Sequence, residues 1–187
     1  MNVNIKPIKQ AVFLCGMMGS GKTTVGKELA KLLNVSFHDL DRLIEQRTGN
    51  SIPEIFKTEG EEAFRKIERE TILDVTASLS GVIALGGGSL QNQHLTDHIK
   101  LNGWLVFIQT PIDDIAERLH RKDGRPMIAE NSAEKSDLFD KISSLMEQRI
   151  PYYSQAHLTI KTGDLTPPKI AAVIVDKLAF YEQRHRS

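Results

Sequence analysis

The stretch "AVFLCGMMGSGKTTVGKELAKLL", residues 11–33, constrains this chain more than any other. An apolar run, Ala11 to Cys15, meets Gly16, four residues, then Gly21-Lys22-Thr23, and a helical pattern follows at once. This is the P-loop spacing in the context the motif requires, strand before and helix after. The glycines let the backbone curl, so that N–H groups from Gly19, Ser20, Gly21, Lys22, Thr23 and Thr24 turn toward phosphate oxygens. The helix adds the positive end of its dipole. Lys22 is expected to reach the β- and γ-phosphates, and the Thr23 hydroxyl to ligate Mg²⁺, a hard cation that prefers oxygen. A fold that presents such a loop needs a parallel sheet behind it.

The rest of the chain supplies one. Apolar runs recur at 11–15, 35–39, 81–86, 103–110 and 157–162, separated by helical patterns. Alternating strands and helices predict an α/β three-layer sandwich on a mostly parallel sheet. In the first helix Val25, Leu29, Leu32 and Leu33 are expected on one face. In "EEAFRKIERETILDVTASL" the expected face is Phe64, Ile67 and Thr71. Ser51, with Glu54 three residues on, predicts a capping box. Thr166 and Pro167 predict the start of the last helix, and Pro151 predicts the end of the one before it. The polar region 121–137 is expected to be a mobile loop.

At 187 residues a single domain spanning 1–187 is expected. Twenty-four basic and 24 acidic side chains cancel, which gives no global pull toward nucleic acid or a membrane surface. Anion recognition must therefore be local. No apolar run approaches a membrane span, and "MNVNIKPIKQ" lacks the apolar stretch of a secretory signal. A cytoplasmic, monomeric protein is expected. The lone cysteine, Cys15, is expected to be a buried thiol rather than a nucleophile.

A bound triphosphate leaves open what the loop does with it. A switch GTPase would carry D-x-x-G and N-K-x-D elements, and neither occurs. The remaining polar clusters suit a kinase. Asp39 and Asp41 stand at the end of the second strand run, where α/β sheets hold ligands. One acid can hold Mg²⁺ through water while the other orients a hydroxyl and accepts its proton. Asp41 could equally cap the helix it precedes. Arg65, with Glu68 three residues on, is either a surface ion pair or a guanidinium fork for a substrate carboxylate. Gly86, Gly87 and Gly88 suggest close approach of backbone to a ligand. Arg118, Arg121, Lys122 and Arg125 gather at the entry to the polar loop, and Arg149 stands alone before Pro151.

In order, these motifs read G-x-x-G-x-G-K-T, D-x-D, F-R-x-x-E, G-G-G, an R-P in the polar loop, and R-x-P-x-Y. The set resembles the shikimate kinases over roughly residues 10–180. The resemblance implies a five-stranded parallel sheet in the order 2-3-1-4-5 and a P-loop kinase fold. It also implies a substrate-binding region near 39–70 and a mobile lid near 119–135. The implied reaction is transfer of the ATP γ-phosphoryl group to the 3-hydroxyl of shikimate, with Mg²⁺. On that resemblance Asp41 grips the shikimate hydroxyls as base and Asp39 supports Mg²⁺ through water. Arg65 and Arg149 pair with the carboxylate, and Gly87 lines the pocket. Arg125 is the lid arginine on the phosphates, and Arg118 is the one near adenine. The adenine loop falls in 161–167. A gluconate kinase of the same fold is the nearest rival. A nucleotide-binding regulator without catalysis would be expected to lack one of Lys22, Thr23, Asp39, Asp41 or Arg125, and all are present.

Overall fold

The computed structural model describes residues 10–122 and 132–184. Five strands, β1 (Ala11–Cys15), β2 (Phe37–Asp39), β3 (Val82–Ala84), β4 (Gly103–Gln109) and β5 (Leu158–Lys161), form one sheet in the order β2-β3-β1-β4-β5. Every pairing is parallel. This is the order the resemblance implied. It puts β1, and the glycine loop that leaves it, at the centre.

Strand parity divides the core. Phe13 and Cys15 point to one face with Ile83, Leu105 and Phe107, while Val12 and Leu14 point to the other with Val82, Val106 and Ile108. Side chains alternate along a strand, so a sheet covered on both faces needs apolar residues at consecutive positions. The second face is covered by α1 (Lys22–Leu33) and α8 (Pro167–Arg184). The first packs under α2 (Leu40–Thr48), α3 (Ile52–Thr58), α4 (Gly60–Ser78), α5 (Gln93–Asn102), α6 (Ile112–Lys122) and α7 (Ser132–Tyr153). Two apolar layers thus flank the sheet, and the loops at its carboxyl edge carry the polar residues. None of the helices described is long and apolar enough to cross a membrane.

Four details depart from expectation. Leu32 is 43% exposed, because the buried arc of α1 runs through Val25, Gly26, Leu29 and Ala30 and leaves Leu32 on its flank. At Gly26 any Cβ would stand 2.5 Å from the Phe37 ring, so this glycine lets α1 lie against β2. On α4, Glu68 joins Phe64 and Thr71 in the buried face, with Ile67 only partly buried. Helix α7 runs through Pro151 to Tyr153. Proline removes one helical hydrogen bond, but the turn continues, with the Ser154 N–H donating to the Ile150 carbonyl at 2.9 Å. The expected loop at 121–137 is narrower, since α6 reaches Lys122 and α7 starts at Ser132. The capping box forms as expected, with the Glu54 carboxylate accepting the Ser51 N–H at 2.8 Å.

Candidate active site

The glycine loop has the backbone its sequence requires. Gly16, Gly19 and Gly21 have φ of 143°, 76° and 94°, in the region that favours glycine. A Cβ at Gly16 would lie 2.7 Å from the Ile108 carbonyl oxygen. Lys22, at the start of α1, folds back and donates from Nζ to the carbonyls of Gly16 and Met17, both at 2.9 Å. Desolvation pulls its pKa down to about 8, against the opposing pull of Cys15, Asp41 and Asp39. The Thr23 hydroxyl donates to Asp39 Oδ2 at 2.8 Å. Asp39, not Asp41, occupies the N-cap position of α2, yet its side chain makes no capping bond there. Its carboxylate is turned to Thr23 instead.

A cleft of about 500 Å³ opens beside the loop. Its walls include Gly21, Thr24 and Arg118 at one end and Thr162, Leu165 and Pro167 at the other. Arg118 Nη1 donates to the Gly19 carbonyl at 3.3 Å. The expected adenine segment, 161–167, therefore lines the same cleft as the phosphate loop. Cys15 is fully buried, and desolvation pushes its thiol pKa up to about 12. It is a packed thiol and no nucleophile.

The second cluster forms around Gly86, Gly87 and Gly88, each set against charged side chains. A Cβ at Gly86 would lie 3.0 Å from Glu68 Oε1 and 3.1 Å from Asp41 Oδ1. At Gly87 it would meet Arg149 Nη1 at 3.1 Å, and at Gly88 both Arg65 Nη atoms at 2.8 Å. The three glycines thus make room for protein side chains, a reason for them that differs from close approach to a ligand. Gly87 also lies against the phosphate loop, with Met18 N 3.5 Å from that Cβ position.

Glu68 is 3% exposed and accepts from Arg65 Nη1 at 2.7 Å and from Ser89 Oγ at 2.6 Å. Arg65 also reaches Glu61 at 3.2 Å. The carboxyl of Asp41 is held above its ordinary pKa, first by desolvation and then by Asp39, with Lys22 opposing and Glu68 adding to the rise. Arg149 is 9% exposed and makes no ion pair among the described residues. Its Nε has no hydrogen-bond partner there, and Nη1 faces the Met17 sulfur at 3.7 Å. An unpaired buried guanidinium is costly, and the polar side chain beside this one is the neutral Tyr153 hydroxyl.

A family model for shikimate kinase matches residues 18–179. This chain belongs to the shikimate kinase family. A shikimate kinase of Shewanella oneidensis is 39% identical over 173 residues, covering 92% of this chain and 98% of that protein. The structure of the shikimate kinase of Acinetobacter baumannii in complex with shikimate overlays with a TM-score of 0.81 at 34% identity. The overlay covers 92% of this chain and 94% of that one. The corresponding enzyme of Bacteroides thetaiotaomicron gives a TM-score of 0.79 at 32% identity, with 93% and 98% covered.

In this shikimate kinase family chain, the sequence-predicted residues gather in two adjoining groups at the carboxyl edge of the sheet. Lys22, Thr23, Asp39 and Arg118 surround the phosphate loop. Asp41, Arg65, Gly86, Gly87, Gly88 and Arg149 surround the second cluster. Lys22 feels the charges of Asp41, Asp39 and Arg149, so the groups share one electrostatic field. Arg125 lies outside the described residues. Met17, Ser89 and Tyr153 were given no role from sequence. The Tyr153 hydroxyl donates its one proton to the Gly87 carbonyl at 2.5 Å and lies 3.7 Å from the Met17 sulfur. Its tyrosine stands in the R-x-P-x-Y motif, which was the available signal. Nothing in the sequence singles out Met17.

Proposed function

We propose that this chain transfers the γ-phosphoryl group of ATP to the 3-hydroxyl of shikimate, giving shikimate 3-phosphate and ADP. The observation that carries this reading is Arg149: a buried cation with no carboxylate partner among the described residues, directly beside a phosphate loop. Shikimate is a ring with one carboxylate and several hydroxyls. Arg149 and Arg65 suit the carboxylate, and Asp41 suits a hydroxyl.

Phosphoryl transfer leaves the protein mainly positioning and charge stabilisation. Backbone N–H groups of 19–24 hold the phosphates, and Lys22 exchanges its two carbonyl partners for phosphate oxygens. Asp41 aligns the acceptor hydroxyl and takes its proton as the new P–O bond forms. Thr23 and Asp39 form an all-oxygen pair that fits Mg²⁺, which binds through one or two carboxylates plus substrate phosphates rather than a protein cage. No group of three or more metal-ligating side chains occurs among the described residues, in keeping with that mode. When bound, the ion supplies charge neutralisation at the phosphate oxygens. Arg118 suits the adenine end of the cleft, and Arg125, in the proposed lid, suits the transferring phosphoryl group.

The test is ADP release with Mg²⁺ and ATP, measured with shikimate, gluconate and nucleoside monophosphates in turn. Turnover with shikimate alone is expected. An absence of ATP consumption on adding shikimate defeats the reading.

Two further outcomes follow from the geometry. Lys22 binds phosphate best when charged, and in the free protein its pKa is about 8. ATP affinity should hold below that pH and fall about tenfold per unit well above it, because the bound lysine must take up a proton. Calorimetric titration at pH 8.5 in two buffers of different ionisation enthalpy should show that uptake, and equal heats would refute it. For Arg65→Ala, a loss of about 1.5–3 kcal/mol in shikimate binding is expected. The loss is modest because this guanidinium is one-third exposed and already engaged by Glu68 and Glu61. ATP binding should be unchanged, and equal losses for both ligands in titration calorimetry would contradict the assignment.

A further inference from the structure

Met17 occupies an unusual place in the glycine loop. Its side chain is fully buried, on the sheet face opposite α1. Its carbonyl accepts from Lys22 Nζ at 2.9 Å and from the Ser20 N–H at 3.1 Å. Its sulfur faces one donor, Arg149 Nη1, and the Tyr153 hydroxyl oxygen, each at 3.7 Å. One residue therefore touches the phosphate-binding lysine through its backbone and the unpaired buried arginine through its side chain. Tyr153 closes the ring by donating to the Gly87 carbonyl, and Gly87 in turn lies against Arg149.

We infer that Met17 is a positioning residue that aims Arg149 at the acceptor's carboxylate and couples that aim to the phosphate loop. The inference rests on the reading of Arg149 given above. A thioether is a weak, polarizable acceptor. That weakness suits the task. A carboxylate at this position would pair with Arg149 permanently and compete with the acceptor. A purely apolar side chain would remove the sulfur and leave the guanidinium only the Tyr153 hydroxyl on this side. The sulfur orients Nη1 without neutralising the charge. The other consequence is directional. When Lys22 leaves the Met17 carbonyl for phosphate, the loop segment that carries the sulfur loses one restraint, so nucleotide occupancy is felt at Arg149.

The experiment uses Met17→Leu in the full chain. Leucine keeps the volume and deletes the sulfur, a swap that cores tolerate well. KM is measured for shikimate and for the analogue whose carboxylate is replaced by a neutral hydroxymethyl group. The expected result is a five- to tenfold rise in KM for shikimate, with kcat and the KM for ATP within about twofold. The analogue should show less than a twofold change. The dependence of shikimate affinity on bound nucleotide should also shrink. An unchanged KM for shikimate overturns the inference. So does an equal loss on both acceptors, which would mean general damage to packing. If the leucine variant does not fold, Met17→Ile carries the same expectation. The underlying reading is judged separately. If the unsubstituted enzyme does not prefer shikimate to the neutral analogue, or keeps that preference in Arg149→Ala, the role of Arg149 itself fails. If that preference is present and depends on Arg149 but not on Met17, only the inference about Met17 fails.

Discussion

Asp41→Asn is expected to lower kcat by about 10²- to 10⁴-fold while leaving shikimate and ATP bound nearly as before. That range is typical of a positioned general base. The substitution preserves shape and one hydrogen-bonding oxygen, so the acceptor should still dock. What it removes is a group that can take the hydroxyl proton. Asp41 stands in the first turn of α2, immediately beyond β2, exposed by surface area but beside Asp39 and Glu68. Desolvation and those neighbouring carboxylates hold its pKa above that of an ordinary aspartate. A raised value makes it a better proton acceptor than a free carboxylate. It also fixes the sign of a pH effect. The basic form is lost as pH falls through the raised pKa, so the acid limb of the kcat profile should lie above that of an ordinary aspartate. In Asp41→Asn that limb should vanish. A variant that retains more than a tenth of the parent rate, or keeps the acid limb unchanged, would assign the proton to another group.

How much of this could be read from residues alone depends on which contacts are local. The sheet was legible because its signal is local: short apolar runs closed by Gly, Asp or Thr and alternating with helical patterns read as strands of a covered sheet. The glycine loop was legible because its φ angles demand glycine at 16, 19 and 21. Contacts that cross the fold were harder. Arg149 before Pro151 says nothing until α7 is seen to continue past the proline and bury it beside Gly87 and Met17. The glycine run 86–88 pointed to close approach of a ligand, but what lies against it in the fold is Asp41, Glu68, Arg65 and Arg149, from α2, from α4 and from α7. Leu32 was misplaced for a simpler reason. Helical periodicity gives a face but not its width, and only the packed α8 shows where the arc ends. Met17 had no signal at all, since an apolar residue in a loop after a strand ordinarily just packs.

Arg149→Ala is expected to weaken shikimate binding by about 2–5 kcal/mol, the range for losing one partner of a desolvated charge pair. The effect should exceed that of Arg65→Ala for a physical reason. Arg65 shares its charge with Glu68 and Glu61 and stays partly in water, whereas Arg149 has no ion-pair partner among the described residues and almost no solvent. An anion arriving at Arg149 therefore gains the full interaction in a low-dielectric setting. The same argument makes an opposite prediction for the free protein. Burying an unpaired guanidinium costs stability. Removing it should leave the melting temperature of the substrate-free chain unchanged or raised, although the deleted side chain also vacates some packed volume. Shikimate, which shifts the melting temperature of the parent upward by binding only the folded state, should shift that of the variant far less. Thermal unfolding with and without shikimate, in the absence of nucleotide so that no turnover occurs, reads both signs in one experiment. A variant much less stable without ligand, yet equally stabilised by shikimate, would make Arg149 a structural residue and leave the acceptor's carboxylate to Arg65.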